Sequence, residues 1–352
     1  MAKIAIVGAS GKLGGATLTA LLKHELAPAS DIIALTSSTA GSETWERLAA
    51  TGVEVRHARF EDSATFEEAL TGVSTLFLVS TPAIALDFGV PMDFDGTITT
   101  TAFSSSTEGS QSRHAGGRER HHKTAIDAAV KAGVKRIVYS SLAFGYSPST
   151  VGPGDSSFAG VMRAHLRTEA YLKEYAKGKH GVEITILREG LYSESWPLYL
   201  GYFDVENAHG GRAVIPLAAD GKVCWTAIHD LGVASALVLV DSSSEFTGRT
   251  VYLSTRSATA MTVGEIAELV GNAIGKDIAV QSVGRKDHER YYVDTRGKPQ
   301  PAVEWWASSY EALDAGETCI DDPVLEMLLE RVGLEPIPVE ETVAAMLKGQ
   351  ED

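Results

Sequence analysis

Residues 4–15 read Ile-Ala-Ile-Val-Gly-Ala-Ser-Gly-Lys-Leu-Gly-Gly, and no other stretch constrains this chain as strongly. The apolar run at its start reads as a short strand buried on both faces. It turns directly into Gly8-Ala9-Ser10-Gly11-Lys12-Leu13, and a helical pattern follows through Leu18, Leu21 and Leu22. Glycine permits the tight turn and lets backbone come close to a pyrophosphate. The helix N-terminus offers free N–H groups and the positive end of its dipole. A Gly-rich turn alone says little, since turns use glycine everywhere. A strand before it and a helix after it make it a dinucleotide signature. Gly8 then forms the turn, and the N–H groups of Ala9, Ser10, Gly11, Lys12 and Leu13 are the expected phosphate ligands. The Lys12 side chain has two readings, one on a ribose 2′-phosphate and one in solvent.

Strand and helix patterns alternate after that loop. Ile32 to Leu35, Val53 to Ala58, Ser74 to Val79, Lys135 to Ser140 and Val182 to Leu187 read as strands. Thr44 to Ala50, a segment capped by Ser63, His122 to Ala132 and Gly160 to Ala176 read as helices between them. Such alternation implies a parallel sheet with right-handed crossovers. The expected class is therefore α/β, a Rossmann-type doubly wound sheet with ligands at the carboxyl ends of its strands. Further on, Ile228 to Val240 is an apolar helix and Thr250 to Ser254 a strand. Thr262-Val263-Gly264-Glu265 is a capping box for a helix ending near Gly275. Asp322-Pro323 opens another, closed at Gly333. We expect a sheet domain over 1–245, a small C-terminal α/β substrate lobe over 246–352, and a contribution to that lobe from 190–215.

Residues 87–117 interrupt this pattern with Ser/Thr/Gly runs and no sustained periodicity. A structureless loop of this length is rare inside a compact domain, so the segment reads as a mobile insertion between the fourth strand and the next helix. A surface insertion is the plainer reading, and a substrate lid is the functional one.

Bulk features exclude several classes. The net charge is −15, and residues 301–352 carry 13 acidic residues against only Arg331 and Lys348. That acidity reads as the solvated faces of helices. No basic stripe suggests nucleic acid, and no long apolar run suggests a membrane span. The basic, His-rich island from Arg113 to Lys123 reads as a solvated loop and helix start. Cys224 and Cys319 give neither a disulfide framework nor metal-ligand spacing, and His121-His122 has no partner carboxylate at ligand spacing, so no metal is expected. The chain enters a strand at once, which reads as no leader peptide. A reducing, cytoplasmic setting is the expectation.

Three further segments carry a family resemblance. Arg120 to Phe144, reading RHHKTAIDAAVKAGVKRIVYSSLAF, closely resembles the NmrA-like family of atypical short-chain dehydrogenases. Ala164 to Leu172 (AHLRTEAYL) and Ile186 to Glu194 (ILREGLYSE) are also similar to it. With the Gly-rich loop, the resemblance covers about residues 1–86 and 118–275. It implies an NAD(P)-binding Rossmann domain with a small substrate lobe. The family includes NADPH-dependent quinone reductases, relatives of isoflavone reductases, and regulators that bind the cofactor without turning it over.

The site residues follow from both lines of reasoning. A carboxylate after the second strand would bond the ribose 2′-OH of NAD. The chain has Leu35-Thr36-Ser37-Ser38-Thr39 there, with Ser37 where many NmrA-like reductases carry Arg. NADP is favoured, and NAD stays open. Ser80, Thr81 and Pro82 end the fourth strand and Ser140 and Ser141 the fifth. The resemblance places these residues by the ribose and nicotinamide. Standard short-chain dehydrogenases use a Tyr four residues before a Lys, whereas Val161 and His165 stand at those places here. His165 is the candidate ribose anchor or proton carrier, and Tyr192 the alternative hydroxyl donor. Each also has a plain reading as a packed core residue. Trp196, Trp225, Trp305 and Trp306 read as core before they read as a pocket for a flat substrate. The expected function is an NADPH-dependent oxidoreductase acting on a small quinone-like or aromatic carbonyl compound. The missing Tyr/Lys pair keeps a second reading alive, a non-catalytic NAD(P) sensor that binds a protein partner.

Overall fold

The computed structural model describes residues 3–88, 117–147, 152–178, 181–210 and 213–348. Lys3–Val7 (β1), Ile32–Thr36 (β2), Glu54–His57 (β3), Val73–Val79 (β4) and Arg136–Leu142 (β5) join Glu183–Glu189 and Thr250–Leu253 in one seven-stranded sheet. From one edge the order is Thr250–Leu253, Glu183–Glu189, β5, β4, β1, β2, β3, and every pairing is parallel. β1 lies between β2 and β4, so the direction of strand addition reverses there. In open α/β sheets such a reversal opens the ligand crevice at the carboxyl ends. The expected Rossmann-type class is what the chain adopts.

Helices cover both faces, which is why the strands are apolar at nearly every position. All five residues of β2 are buried. Lys12–Lys23 (α1), Glu43–Ala49 (α2) and Ile228–Val240 lie on one face, where Leu18, Leu21, Leu48, Leu231 and Val238 meet Ile4, Ile6 and Phe77. Ser63–Ala69 (α3), Gly117–Lys131 (α4) and Met162–Lys177 (α5) lie on the other, with Phe66, Ile126 and Leu172 against Val7, Leu78 and Ile137. Ile228–Val240 is apolar around nearly its whole circumference because α1, the sheet and Val324–Glu330 all pack on it.

Several boundaries differ from the sequence reading. The N-cap of α3 is Asp62, whose carboxylate accepts the Ala64 N–H, and Ser63 is the first helical residue. α4 starts at Gly117, five residues before the expected start. Thr250–Leu253, read as part of the lobe, is the edge strand of the main sheet, in register with Ile186 to Glu189. Val324–Glu330 likewise packs on the sheet side. The lobe is instead built around one apolar core that draws on Phe144, Val161, Leu191, Trp196, Trp225, Val263, Trp305 and Val343. It therefore takes chain from before and after position 245, because the crossover from Glu183–Glu189 to the edge strand runs through it. The tryptophans belong to this core: Trp196, Trp225 and Trp305 are buried and Trp306 packs against them. Of the insertion read over 87–117, residues 89–116 lie outside the described residues.

Candidate functional site

The reversal point of the sheet is where the Gly-rich loop sits. Gly8 ends β1 at φ +69°, the left-handed region that glycine enters without cost. The Gly11 N–H donates to the Gly8 carbonyl at 2.8 Å and closes the turn. Gly11 is the N-cap of α1. It offers no side-chain cap, and the first turn carries no acidic residue. The leading N–H groups of a helix without such a cap are open to an anion. Ala9 and Leu13 are buried and anchor the loop, while Ser10, Gly11 and Lys12 are exposed. Gly14 lies in the Gly-rich run. A Cβ there would lie 2.3 Å from the Gly8 carbonyl oxygen and 2.7 Å from its carbon. The close approach of α1 to the turn therefore requires glycine at this position. A backbone cradle of this kind fits a pyrophosphate.

The other strand ends are occupied unevenly. Ser37 is exposed after β2, and the Ser38 N–H beside it donates to Thr36 Oγ1. Pro82 is exposed, whereas Ser80 and Thr81 are tied to His122: the Thr81 N–H donates to His122 Nε2 at 3.2 Å and Ser80 Oγ lies 3.1 Å from the same nitrogen. Ser141 Oγ donates to Glu169 at 2.6 Å. Glu169 forms a buried ion pair with Arg188 at 2.8 Å, and Arg188 also donates to Tyr252 Oη and the Gly154 carbonyl. The Ser141 hydroxyl, expected at the cofactor, is thus committed to a core network. Ser140 lies within β5, two residues before its end, with its hydroxyl beside the Glu189 carboxyl.

His165 lies within a second buried network on α5. Arg118 donates to His165 Nε2 at 3.3 Å, so Nδ1 carries the proton and donates to Tyr139 Oη at 3.0 Å. Arg118 also donates to Asp87 at 2.6 Å and to the Val161 carbonyl at 2.8 Å. Thr81 sets the same tautomer in the second ring, since His122 must accept at Nε2 and donate from Nδ1 to Thr168 Oγ1 at 2.8 Å. One chain of polar contacts therefore runs from Asp87 and Arg118, through His165, Tyr139 and His122, to Ser80 and Thr81 at the end of β4. Burial, then the Arg118 charge, hold both imidazoles well below the usual histidine range. Burial also drives the Tyr139 phenol up. The basic island was expected to be solvated, yet Arg118, His121 and His122 are buried. The signal was present in the spacing: Arg118, His122, Ala125, Ile126 and Ala129 line one helical face.

Glu189 was not singled out from the sequence. It is 1% exposed at the end of its strand, and neither carboxyl oxygen makes a hydrogen bond of good geometry, although the Ser140 and Ser235 hydroxyls stand close enough to favour its ionised form. Burial keeps its carboxyl well above the ordinary range. Tyr192, three residues on, packs half-buried against the α1-side core, and burial together with Glu189 and Glu194 raises its phenol. Lys12 lines a groove of about 510 Å³ with Glu194, Ile228, His229 and Met346, on the flank of α1 away from β2. Among the described residues no cluster of three or more His, Cys, Asp or Glu side chains could hold a metal. Cys224 is buried and Cys319 half-buried, and both are free thiols. No helix among the described residues is long and apolar enough to cross a membrane.

A doubly wound sheet with an open helix N-terminus at its reversal point defines a Rossmann-type nucleotide-binding protein. The NmrA-like family model matches residues 1–314, and the chain belongs to that family. The NmrA-like family domain-containing oxidoreductase flvB of Aspergillus flavus is 28% identical over 99% of this chain and 95% of its own length. Quinone oxidoreductase 2 of Escherichia coli is 29% identical over 93% of both chains. Its structure with NADPH superposes at a TM-score of 0.71, covering 97% of this chain and 99% of that one. Triphenylmethane reductase from Citrobacter sp., solved with NADP(H), also gives 0.71, at 27% identity over 98% of this chain and 100% of that one.

Proposed function

We propose that the protein is an NADPH-dependent oxidoreductase acting on a small quinone-like or aromatic carbonyl compound. The observation that carries the reading is the glycine cradle at the sheet reversal, in a chain of the NmrA-like family whose β2 ends without a carboxylate. NADPH supplies a hydride when bound. The chain's part is to hold and orient it. The N–H groups from Ala9 to Leu13 take the pyrophosphate, Ser37 lies at the adenosine ribose, and Ser80 to Pro82 with Ser140 border the nicotinamide half. His165 is a positioning residue in this reading: it braces α5 against Tyr139 and Arg118. Tyr192 is the alternative hydroxyl donor, and the substrate lies between residues 190–196 and the lobe.

One observation favours the second reading, a cofactor sensor with a protein partner. His165 stands in the place of the usual lysine and is buried and neutral. The test is fluorescence titration with NADPH followed by turnover on a panel of quinones and simple ketones. Quinones should be reduced and ketones reduced far more slowly, because a ketone needs a proton as hydride arrives, and general acid catalysis contributes about 10²–10⁴-fold. Tight binding without turnover of any quinone moves the protein to the sensing reading. Absence of NADPH binding refutes both.

A further inference from the structure

The carboxyl ends of β2 and β3 hold a histidine that the reading above leaves without a task. Thr36 and His57 are paired across the two strands, so His57 closes β3 directly beside the loop that follows β2. That loop is held in shape by the Ser38 N–H on Thr36 Oγ1 at 3.2 Å. His57 Nδ1 lies 3.2 Å from the Ser38 carbonyl, which can only accept, so Nδ1 carries a proton and donates. This bond fixes the ring and its tautomer. Nε2, on the opposite edge of the ring, has no hydrogen-bond partner among the described residues. The side chain is half-buried, at the rim of a cavity of about 360 Å³.

Of the other cations nearby, Arg56 and Lys3 are committed and Lys12 faces elsewhere, while Arg59 and Arg47 are exposed on the surface. Arg56 Nε donates to Glu54, and its terminal nitrogen donates to the carbonyls of Ala69 and Thr71. Lys3 is paired with Glu54 at 2.6 Å. Lys12, which the sequence also offered for a 2′-phosphate, lies in the groove on the far flank of α1. Arg59 follows β3, is about half exposed, and reaches Glu61 at only 3.7 Å. The charged groups on the elements against β3 are Glu43, Glu46 and Arg47 of α2, and Glu67 and Glu68 of α3. Glu67 is paired with Lys131, and Glu68 shares the cavity with His57.

We propose that His57 is the residue that recognises the 2′-phosphate of the cofactor's adenosine ribose. This rests on the NADPH reading and adds what selects NADPH over NADH. In its imidazolium form, Nε2–H donates to a phosphate oxygen while Nδ1–H stays on the Ser38 carbonyl. The Ser37 and Ser38 hydroxyls stand on the same loop. A charge-assisted hydrogen bond of this kind is among the stronger ones, and no carboxylate on that loop opposes it.

The experiment measures binding of NADPH, NADH, 2′,5′-ADP and 5′-AMP to the wild type, His57→Gln, His57→Arg and Arg59→Gln. His57→Gln should weaken NADPH and 2′,5′-ADP by roughly tenfold or more, with NADH and 5′-AMP changed less than about twofold. His57→Arg should restore the preference. An unchanged NADPH:NADH ratio in His57→Gln overturns the proposal, as does a loss that appears only in Arg59→Gln. Wild-type protein that binds NADPH and NADH equally overturns the role of His57 and leaves the cofactor site standing. Wild-type protein that binds neither overturns the NADPH reading and the role of His57 with it.

Discussion

The cradle formed by Gly8 and Gly14 makes a sharp prediction, because two adjacent glycines should respond with opposite sign. At Gly14 a Cβ would meet the Gly8 carbonyl oxygen at 2.3 Å, the Gly8 carbon at 2.7 Å and the Ala9 nitrogen at 3.2 Å. All three are backbone atoms, so no rotamer change relieves the contact. The first turn of α1 must move away from the turn by roughly 1 Å to reach ordinary contact distances, and overpacking of this size costs about 1–3 kcal/mol. At Gly15 the nearest atom is the Ala9 carbonyl oxygen at 3.4 Å, an ordinary contact. Gly15 lies within α1, so alanine there gains roughly 0.5–1 kcal/mol of helix propensity. Thermal unfolding should therefore show Gly14→Ala melting lower by a few degrees and Gly15→Ala melting slightly higher. NADPH titration should show affinity lost in Gly14→Ala, since the displaced turn no longer aims its N–H groups at one point, and kept in Gly15→Ala. Gly11 is a weaker choice for this test, because a Cβ there meets only one atom, the Gly8 carbonyl oxygen at 3.2 Å. If Gly14→Ala melts and binds like Gly15→Ala, the close approach of α1 to the loop is not what shapes the site.

Two further outcomes follow from the buried charges. Glu189 holds its proton above the ordinary value of 4.5, so the folded state binds more protons than the unfolded state as pH rises past 4.5. Stability should fall by about 1.4 kcal/mol for each pH unit over which the folded carboxyl stays protonated; Glu189→Gln should thus melt higher than wild type at pH 8 and equal to it by pH 4, and a pH-independent difference would refute the assignment. Arg118→Met leaves the carboxylate of Asp87 buried and uncompensated and should cost about 3–5 kcal/mol in urea unfolding; the double variant with Asp87→Asn should recover part of it, and equal losses in both would show that the pair itself contributes nothing.

Much of the fold was legible because its signals are local. Ile228–Val240 has the bounds its periodicity predicts, and Thr262 with Glu265 forms the capping box that ends at Gly275 in the left-handed conformation. The parallel sense of the sheet follows from alternation and handedness. What was not legible depends on contacts distant in sequence. Arg118 and His122 belong to a polar stretch that resembles a solvated helix start, and only packing against Asp87, α5 and the end of β4 buries them. Glu189 lies in a strand covered on both faces, where no alternation marks which side chain points into the core. The lobe boundary failed for a similar reason. The chain leaves the sheet after Glu189, builds part of the lobe, and returns to add Thr250–Leu253 at the edge, and no break in periodicity records that return.

The buried network also bears on which substrate this site suits. Among the groups that could move a proton near the carboxyl ends of β4 and β5, His122 and His165 are held neutral by burial and by Arg118, and Tyr139 is held protonated. None of the three exchanges a proton readily near neutral pH. Their hydrogen bonds instead fix α5 and the loop after β4 relative to each other, which is a positioning function. Tyr192 is likewise held protonated by burial beside Glu189 and Glu194. A site arranged in this way gives little acid assistance to an acceptor that needs a proton in the same step as hydride. It suits an electron-poor acceptor, whose reduced form can take its protons from water after the hydride has moved. The protonation states of this chain's own side chains thereby set quinones above ketones as acceptors.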